Sequence, residues 1–280
     1  MSNNLYFAKL HAELLDIMDE VDRVCQRNNL RYYLVGGSLL GAVRHKGFIP
    51  WDDDLDIAMP REDYERFMEL SSSELYPSYE IDWISTNPEY WLSFFKVCKK
   101  ETVFLQQEYN RPFKIFVDVF PLDYGPMYCR RLELIKKMGG YLHAVSTCKV
   151  VNKVTWKTYL WRFIRLSISN TAAHKLTRRL RMYARKLGKS HFVNFASQYK
   201  LSKQTMPVEW YGEGVTVEFE GRRYIAPSEY IRVLTSIYGE NYMKLPSEDK
   251  RRTHYPVRVV FSNGEVMEFE RTEKIVKAEM

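Results

Sequence analysis

The sequence predicts an α+β fold, a mixed β-sheet core flanked by helices, with a basic helical insert. Three observations carry this. Apolar residues recur at helical spacing near the N-terminus, at Leu10, Leu14, Met18, Val21 and Cys25. Short runs rich in aromatic and β-branched residues, at 32–35, 79–84, 91–97 and 113–124, lie between turn residues and read as strands. The third observation is a charge asymmetry. Of 42 Lys and Arg, sixteen fall between Glu133 and Glu209, where no Asp or Glu occurs; the remainder holds 26 against 35 acids, a balance of −9. The expected division is therefore a core over 1–130, the basic insert over 131–210 and a C-terminal part over 211–280 that completes the site.

Length and composition narrow the class. At 280 residues, 45% hydrophobic and 28% charged, the chain can bury a substantial core and has an ordinary soluble composition. No stretch reaches the ~20 apolar residues that span a bilayer. The N-terminus lacks the basic and apolar regions of a secretory signal. Cys25, Cys98, Cys129 and Cys148 show neither metal nor redox spacing and read as free thiols of a reducing cytosol. Most of the aromatic residues, 15% of the chain, are expected to fill the core.

The N-terminal helix is expected to stop at Asn28 and Asn29 and to pack against the first strand, 32–35. Gly36 and Gly37 then allow a tight turn and close approach of backbone to a ligand. A short helix is expected over 38–43, with Ser38 at the end that favours anions. Arg44, His45 and Lys46 follow it, and then a second strand carrying Asp52, Asp53, Asp54 and Asp56. Pro60 opens another helix, with Glu62 and Asp63 in its first turn.

Side chains alternate along a strand, so Asp52, Asp54 and Asp56 would point one way and Asp53, Leu55 and Ile57 the other. Neighbouring carboxylates would lie ~6.7 Å apart and repel by roughly 2.5 kcal/mol per pair at an effective dielectric of ~20. A divalent cation would convert that repulsion into a binding site, and all-carboxylate ligands suit Mg²⁺ or Mn²⁺. The competing reading is a solvated acidic turn, preferred for Asp52 and Asp53 taken alone.

A second informative stretch is Phe113-Lys-Ile-Phe-Val-Asp118-Val-Phe-Pro-Leu-Asp123-Tyr. Asp118 lies in an apolar run, where an acid needs a donor, an arginine or a metal. Asp123, after Pro121, reads as a turn or cap residue. Lys96, between Phe95 and Val97, reads either as a phosphate contact on a sheet face or as a solvated strand lysine.

In the insert, Trp156, Leu160, Phe163 and Ile164 form one helical stripe beside Lys153, Lys157 and Arg165; Leu176, Leu180, Tyr183 and Leu187 form another beside Arg178, Arg181, Arg185 and Lys189. The apolar stripes are expected to pack on the body and the basic faces to be solvated. Its lack of acids suggests an anionic partner, and no nucleic-acid-binding motif accompanies it, so anionic lipid or a phosphate-bearing acceptor is preferred. Trp156 and Trp161 could anchor such a helix at a membrane interface. The tail ends in an expected hairpin, 257–260 with 266–269, turning at Asn263-Gly264.

Gly37-Ser38 followed by Asp54-Leu-Asp56-Ile resembles the nucleotidyltransferase-superfamily pattern of a Gly-Ser turn, a helix and a strand of paired carboxylates. The full run Gly-Gly-Ser-Leu-Leu-Gly-Ala-Val-Arg-His-Lys-Gly-Phe-Ile-Pro-Trp-Asp-Asp-Asp-Leu-Asp, residues 36–56, resembles the LicD family much more closely. Val117-Asp-Val-Phe-Pro-Leu-Asp123 is similar to a second motif of that family. Phe219-Glu220-Gly221, then Tyr238-Gly-Glu-Asn-Tyr-Met-Lys-Leu-Pro246 with Arg251 and His254 beyond, is similar to its C-terminal pattern. The resemblance covers about 35–125 and 217–255 and leaves the insert unanchored.

What the resemblance implies is a nucleotidyltransferase-like core and transfer of phosphocholine or a similar phospho-alcohol from a CDP-activated donor such as CDP-choline. The implied acceptor is a cell-surface glycan or lipid-linked oligosaccharide, with release of CMP. Asp54 and Asp56, joined by Asp52, would hold Mg²⁺ or Mn²⁺, and Asp118 would be the third carboxylate, assisting the acceptor hydroxyl or joining the metal. Gly37 and Ser38 would offer backbone N–H groups to phosphate. Arg44, His45 or Lys46 would stabilise the departing CMP, and Arg251 and His254 could face a phosphate together. The implied place is the cytoplasm, with peripheral contact at the inner face of the membrane. Two other classes stay open: nucleotidyl transfer to a sugar or small molecule, which the long 38–54 segment disfavours, and a non-enzymatic glycan-binding role.

Overall fold

The computed structural model describes residues 2–107, 109, 111–144, 169–247, 251 and 256–270. Helix α1 (Ser2–Asn28) carries the expected apolar stripe, with Leu10, Leu14, Met18, Val21 and Cys25 all buried. It ends at Asn29, whose φ of 52° turns the chain so that the Leu30 N–H donates back to Cys25 O at 2.9 Å. Strand β1 (Tyr33–Leu34) follows, then α2 (Gly36–His45), β2 (Asp56–Pro60), α3 (Arg61–Glu74), β3 (Tyr79–Asp82), β4 (Phe95–Lys99), β5 (Val103–Gln106) and β6 (Phe116–Gly125). Beyond these lie α4 (Arg130–Ala144), α5 (Asn170–Leu187), β7 (His191–Val193), β8 (Thr205–Pro207), α6 (Val208–Tyr211), β9 (Val215–Phe219), β10 (Arg222–Ala226), α7 (Tyr230–Tyr238), β11 (Pro256–Val260) and β12 (Val266–Glu268).

The body is a mixed sheet flanked by helices, in the order β1-β2-β6-β4-β3, with β7 paired to β6 and β8 to β7. β2 and β6 run parallel; the other pairs in this sheet are antiparallel. β6 alternates as a strand should. Val117 and Val119 sit in the core, while Phe116, Asp118 and Phe120 line a cleft on the other face. One edge of β6 is shared: β4 pairs with its first half, 116–119, and β7 with its last residues, 123–125. The stretch 191–207, inside the expected insert, thus contributes two strands to the central sheet. β11 of the tail pairs with β5 and with β12, so the expected hairpin forms.

Several expected elements shift. The second strand starts at Asp56, so Asp52, Asp53 and Asp54 lie in the extended segment before it. The expected strand 91–97 begins at Phe95, and β5 has no counterpart in the sequence reading. Asp123 is neither a turn nor a cap: it is buried in β6, where Arg61 donates to both of its oxygens at 2.8 and 2.9 Å. That bidentate partner lets a carboxylate occupy an interior strand position.

The largest departure is α5. Half of its expected apolar stripe faces out, with Leu176 45% and Tyr183 52% exposed, while Leu180 and Leu187 are half-buried and Ala173, His174, Thr177, Arg181 and Ala184 face in. The small side chains allow α5 to lie close against β6. Its arginines meet the acidic helix beneath: Arg178 pairs with Glu65 and Arg185 with Glu62 on α3 at 2.9 and 2.8 Å. Part of the basic excess is thus neutralised by the body. The stripe Trp156, Leu160, Phe163 and Ile164, together with Trp161 and Cys148, lies outside the described residues. Among those described, Cys25, Cys98 and Cys129 are free thiols, and no helix is long and apolar enough to cross a membrane.

Candidate active site

The site begins with two glycines. They do not precede α2 but form its first turn, and Gly36 has a φ of +57° that only glycine adopts without strain. A Cβ on Gly36 would stand 3.1 Å from Asp56 Oδ2, and one on Gly37 would stand 2.6 Å from Asp52 Oδ2. The glycines therefore make room for carboxylates, which settle at the positive end of the helix. Ser38 belongs to the same turn. Its Oγ accepts the Asp56 backbone N–H at 2.8 Å, while the Val35 N–H donates to Asp56 O at 3.2 Å. Both backbone groups of Asp56 are thus fixed at the start of β2.

Across the sheet, Asp56 on β2 is the register partner of Asp118 on β6, and Asp118 is the register partner of Lys96 on β4. Three charged residues stand side by side on adjacent strands, spaced by the ~4.8 Å between neighbours. Lys96 is 3% exposed, so it is no solvated strand lysine. Its Nζ donates to Asp118 Oδ1 at 2.5 Å and lies 3.2 Å from the centre of the Phe116 ring. The acid in the apolar run has its donor. Asp54, Asp56 and Asp118 all line one cleft of about 270 Å³, together with Phe94, Phe113 and Phe120 and with Asn194, Ser197 and Tyr199.

Asp53 turns away from the cleft and is buried near Tyr6 and His11, as alternation requires. Asp52 is held by its backbone: its N–H donates to Ile49 O, and its carbonyl accepts from His11 Nε2, each at 2.8 Å. The His11 ring stacks on Phe48 with centroids 3.8 Å apart, and burial lowers its pKa. The same loop is clamped from the tail. Glu220 Oε1 accepts the Phe48 N–H at 3.0 Å, and the Glu220 N–H donates to Lys46 O at 2.7 Å. Glu220 and Gly221 both take positive φ in the two-residue turn between β9 and β10. The Glu-Gly motif thus positions the acidic loop.

The other sequence-predicted residues are placed unevenly. Arg44, His45 and Lys46 end α2, roughly 12 Å along the helix from the glycine turn by its rise per residue. Arg44 donates to His45 Nε2 and to the carbonyls of Tyr242 and Lys244, tying α2 to the turn after α7. None of the three lines the cleft. Arg251 does reach the acidic loop, with its guanidinium 4.5 Å from the centre of the Trp51 ring. His254 lies outside the described residues.

Sequence reasoning missed two tyrosines. Tyr199 lines the cleft, and its hydroxyl donates to that of Tyr238 at 3.3 Å. Burial raises both pKa values, and the charges of Asp52 and Asp56 add to the rise, so both phenols stay protonated. Tyr238 opens the Tyr-Gly motif, which was its signal in the sequence. Tyr199 had none, because its loop is held by Lys136 of α4, which donates to Ser197 O and Tyr199 O at 2.9 and 2.6 Å.

Residues 29–138 match the family model described as LicD/FKTN/FKRP, nucleotidyltransferase domain. The chain is also 30% identical over 251 residues to the lipopolysaccharide cholinephosphotransferase LicD of Haemophilus influenzae, covering 86% of this chain and 92% of that one. The chain belongs to the LicD family. It is an enzyme homologous to the LicD-type transferases throughout most of its length. A shorter stretch of 51 residues is 45% identical to the human and mouse ribitol 5-phosphate transferase FKRP, covering 18% of this chain and 10% of those proteins. The matched span contains both motifs, 36–56 and 117–123, and the register of β2 and β6 sets Asp56 beside Asp118.

Among the described residues no three His, Cys, Asp or Glu side chains form a metal-holding group. Mg²⁺ is commonly held by one or two carboxylates and completed by water and substrate phosphate. Asp54 and Asp56, which line the cleft, are the residues that would hold such an ion, while Asp118 is bonded to Lys96.

Proposed function

We propose that this enzyme transfers a phospho-alcohol, phosphocholine or a close relative, from a CDP-activated donor to a glycan or lipid-linked oligosaccharide, releasing CMP. The observation that carries the reading is the row Asp56–Asp118–Lys96, set across three strands and opening with Asp54 into one cleft. The acceptor hydroxyl oxygen forms a bond to the phosphorus that bears the alcohol. The bond from that phosphorus to the oxygen of CMP breaks, and the hydroxyl proton passes to the Asp118 carboxylate. Lys96 holds that carboxylate in place. The N-terminal turn of α2, at Gly37 and Ser38, lies beside the acids and offers the positive end of a helix dipole to the donor phosphates. Mg²⁺ or Mn²⁺ held by Asp54 and Asp56, with Asp52 behind them, would neutralise charge on the donor pyrophosphate.

The relative named as a cholinephosphotransferase matches along most of the chain and favours choline; the short match to a ribitol 5-phosphate transferase keeps polyol donors in view. Incubation of the pure protein with CDP-choline, CDP-ethanolamine, CDP-glycerol or CDP-ribitol and Mg²⁺ tests the reading through CMP release. CMP from one of them, lost on chelation, supports it. Transfer of a nucleoside monophosphate onto the acceptor would replace it with nucleotidyl transfer. Peripheral membrane contact belongs to the same proposal: exposed Leu134 and Met138 on α4, and Leu176 and Tyr183 on α5, stand among exposed Lys137, Lys175, Arg179 and Lys186.

A further inference from the structure

A second cavity, of about 530 Å³, lies between α3 and α5. Its charges do not balance. Glu65 and Glu69, the acids that line it, are engaged by Arg178 and Arg66 at 2.9 and 3.1 Å. Arg61 is engaged by Asp123. Arg181 remains. It is 7% exposed, and among the described residues its guanidinium donates only to Ser93 O, at 3.1 Å. A guanidinium presents five N–H donors, and leaving them unmet in the interior is expensive. Burial, with Arg61 adding to it, lowers the Arg181 pKa to about 10, although Asp123 opposes the shift.

One turn before Arg181 on α5 stands Thr177, 2% exposed, whose Oγ1 has no hydrogen-bond partner. A buried hydroxyl left unpaired in a native fold calls for an occupant. Thr171, in the first turn of α5, and Lys175 line the same cavity and add positive potential at its mouth. The indole of Trp83 forms an apolar wall, edge-on to the His174 ring at 4.9 Å between centroids.

We propose that this cavity binds a phosphoryl group, which Arg181 and Thr177 hold by donated hydrogen bonds while Lys175 supplies charge at the rim. Its position is separate from the carboxylate cleft. Arg61 follows β2 at its far end, so the pocket lies roughly 16 Å from Asp56 by strand rise. Between them lies a third cavity of about 400 Å³, which shares Ser93 and Arg181 with this pocket and Ala196 and Ser197 with the cleft. A phosphorylated sugar within an extended acceptor could reach both, an extension that rests on the transferase reading. The phosphoryl site itself does not.

Calorimetric titration of the full chain with inorganic phosphate and with a hexose 6-phosphate, at fixed ionic strength, tests it. Saturable one-site binding of either is expected. Thr177→Val, of nearly the same shape, should weaken it at least fivefold, and Arg181→Gln should abolish it. If Arg181→Gln does not fold, Arg181→Lys should still show weakened binding. Tighter binding of the hexose phosphate identifies a sugar-borne group, and equal binding identifies free phosphate. Asp56→Asn should bind the probe like wild type, which keeps this result independent of the transfer chemistry. The absence of saturable binding, or binding unchanged in both Thr177→Val and the Arg181 variant, would overturn the site.

Discussion

The two acidic regions flanking the sheet are built in opposite ways. On α3 and the end of β6, Glu62, Glu65 and Asp123 each meet an arginine, two of them supplied by α5. In the segment 52–56, the carboxylates of Asp52 and Asp56 are instead pressed against glycines at a helix N-terminus, and their backbones are fixed by Ser38, Val35 and His11. The first arrangement satisfies charge with charge and holds helices to the sheet. The second fixes geometry and presents charge to a cleft. Acidic residues of similar type therefore serve stability in one place and chemistry in the other, and substitutions should separate the two.

The largest effect is expected in the cleft. Asp54→Asn and Asp56→Asn should each lower CMP release by at least a hundredfold, with melting temperatures within a few degrees of wild type, because the amide keeps the shape. Retention of wild-type turnover by either variant would remove that residue from the site. The reverse pattern is expected on the other side. Asp123→Asn leaves the buried Arg61 without its bidentate carboxylate and should destabilise the fold by about 3–5 kcal/mol. Turnover of the protein that remains folded should change little, as chemical denaturation alongside activity will show.

A smaller effect follows from His174. Burial depresses its pKa from 6.5 to about 4, so the folded protein keeps the ring neutral where the unfolded chain takes up a proton. Stability is therefore complete above pH 6.5 and falls as the pH drops towards 4, by roughly 3 kcal/mol over the full window. His174→Gln should flatten that part of the stability curve, and an unchanged acid slope would assign it to other groups. The smallest effect concerns the outer faces of α4 and α5. At ~1 kcal/mol per basic residue at an anionic surface, weak and salt-sensitive flotation with anionic but not neutral liposomes is expected. Failure to float at low salt would leave a soluble acidic acceptor as the partner of the basic segment.

Much of the cleft was legible because local sequence encodes it. Gly36, Gly37 and Ser38 precede the acids at short range, and the alternation that separates Asp53 from Asp54 survives although the strand starts only at Asp56. The apolar run around Asp118 signalled a buried acid needing a partner. What sequence could not supply were partners from distant segments. Lys96 stands 22 residues before Asp118, and Arg61 stands 62 before Asp123. Tyr199 depends on Lys136, and the Glu220 clamp depends on folding the tail over residues 46–48. On α5 the periodicity of large apolar residues misled, because close packing against the sheet selects small side chains, and the buried face is the one carrying Ala173, Thr177 and Ala184.

The central claim is that Asp118, oriented by Lys96, receives the acceptor proton while Asp54 and Asp56 serve the donor phosphates. Steady-state CMP release by wild type and Asp118→Asn, with kcat and the donor KM measured separately in saturating Mg²⁺, tests it most directly. In Asp118→Asn, kcat should fall at least a hundredfold while the KM for the CDP-alcohol stays within about threefold. A kcat within twofold of wild type, or a loss confined to donor KM, would contradict it.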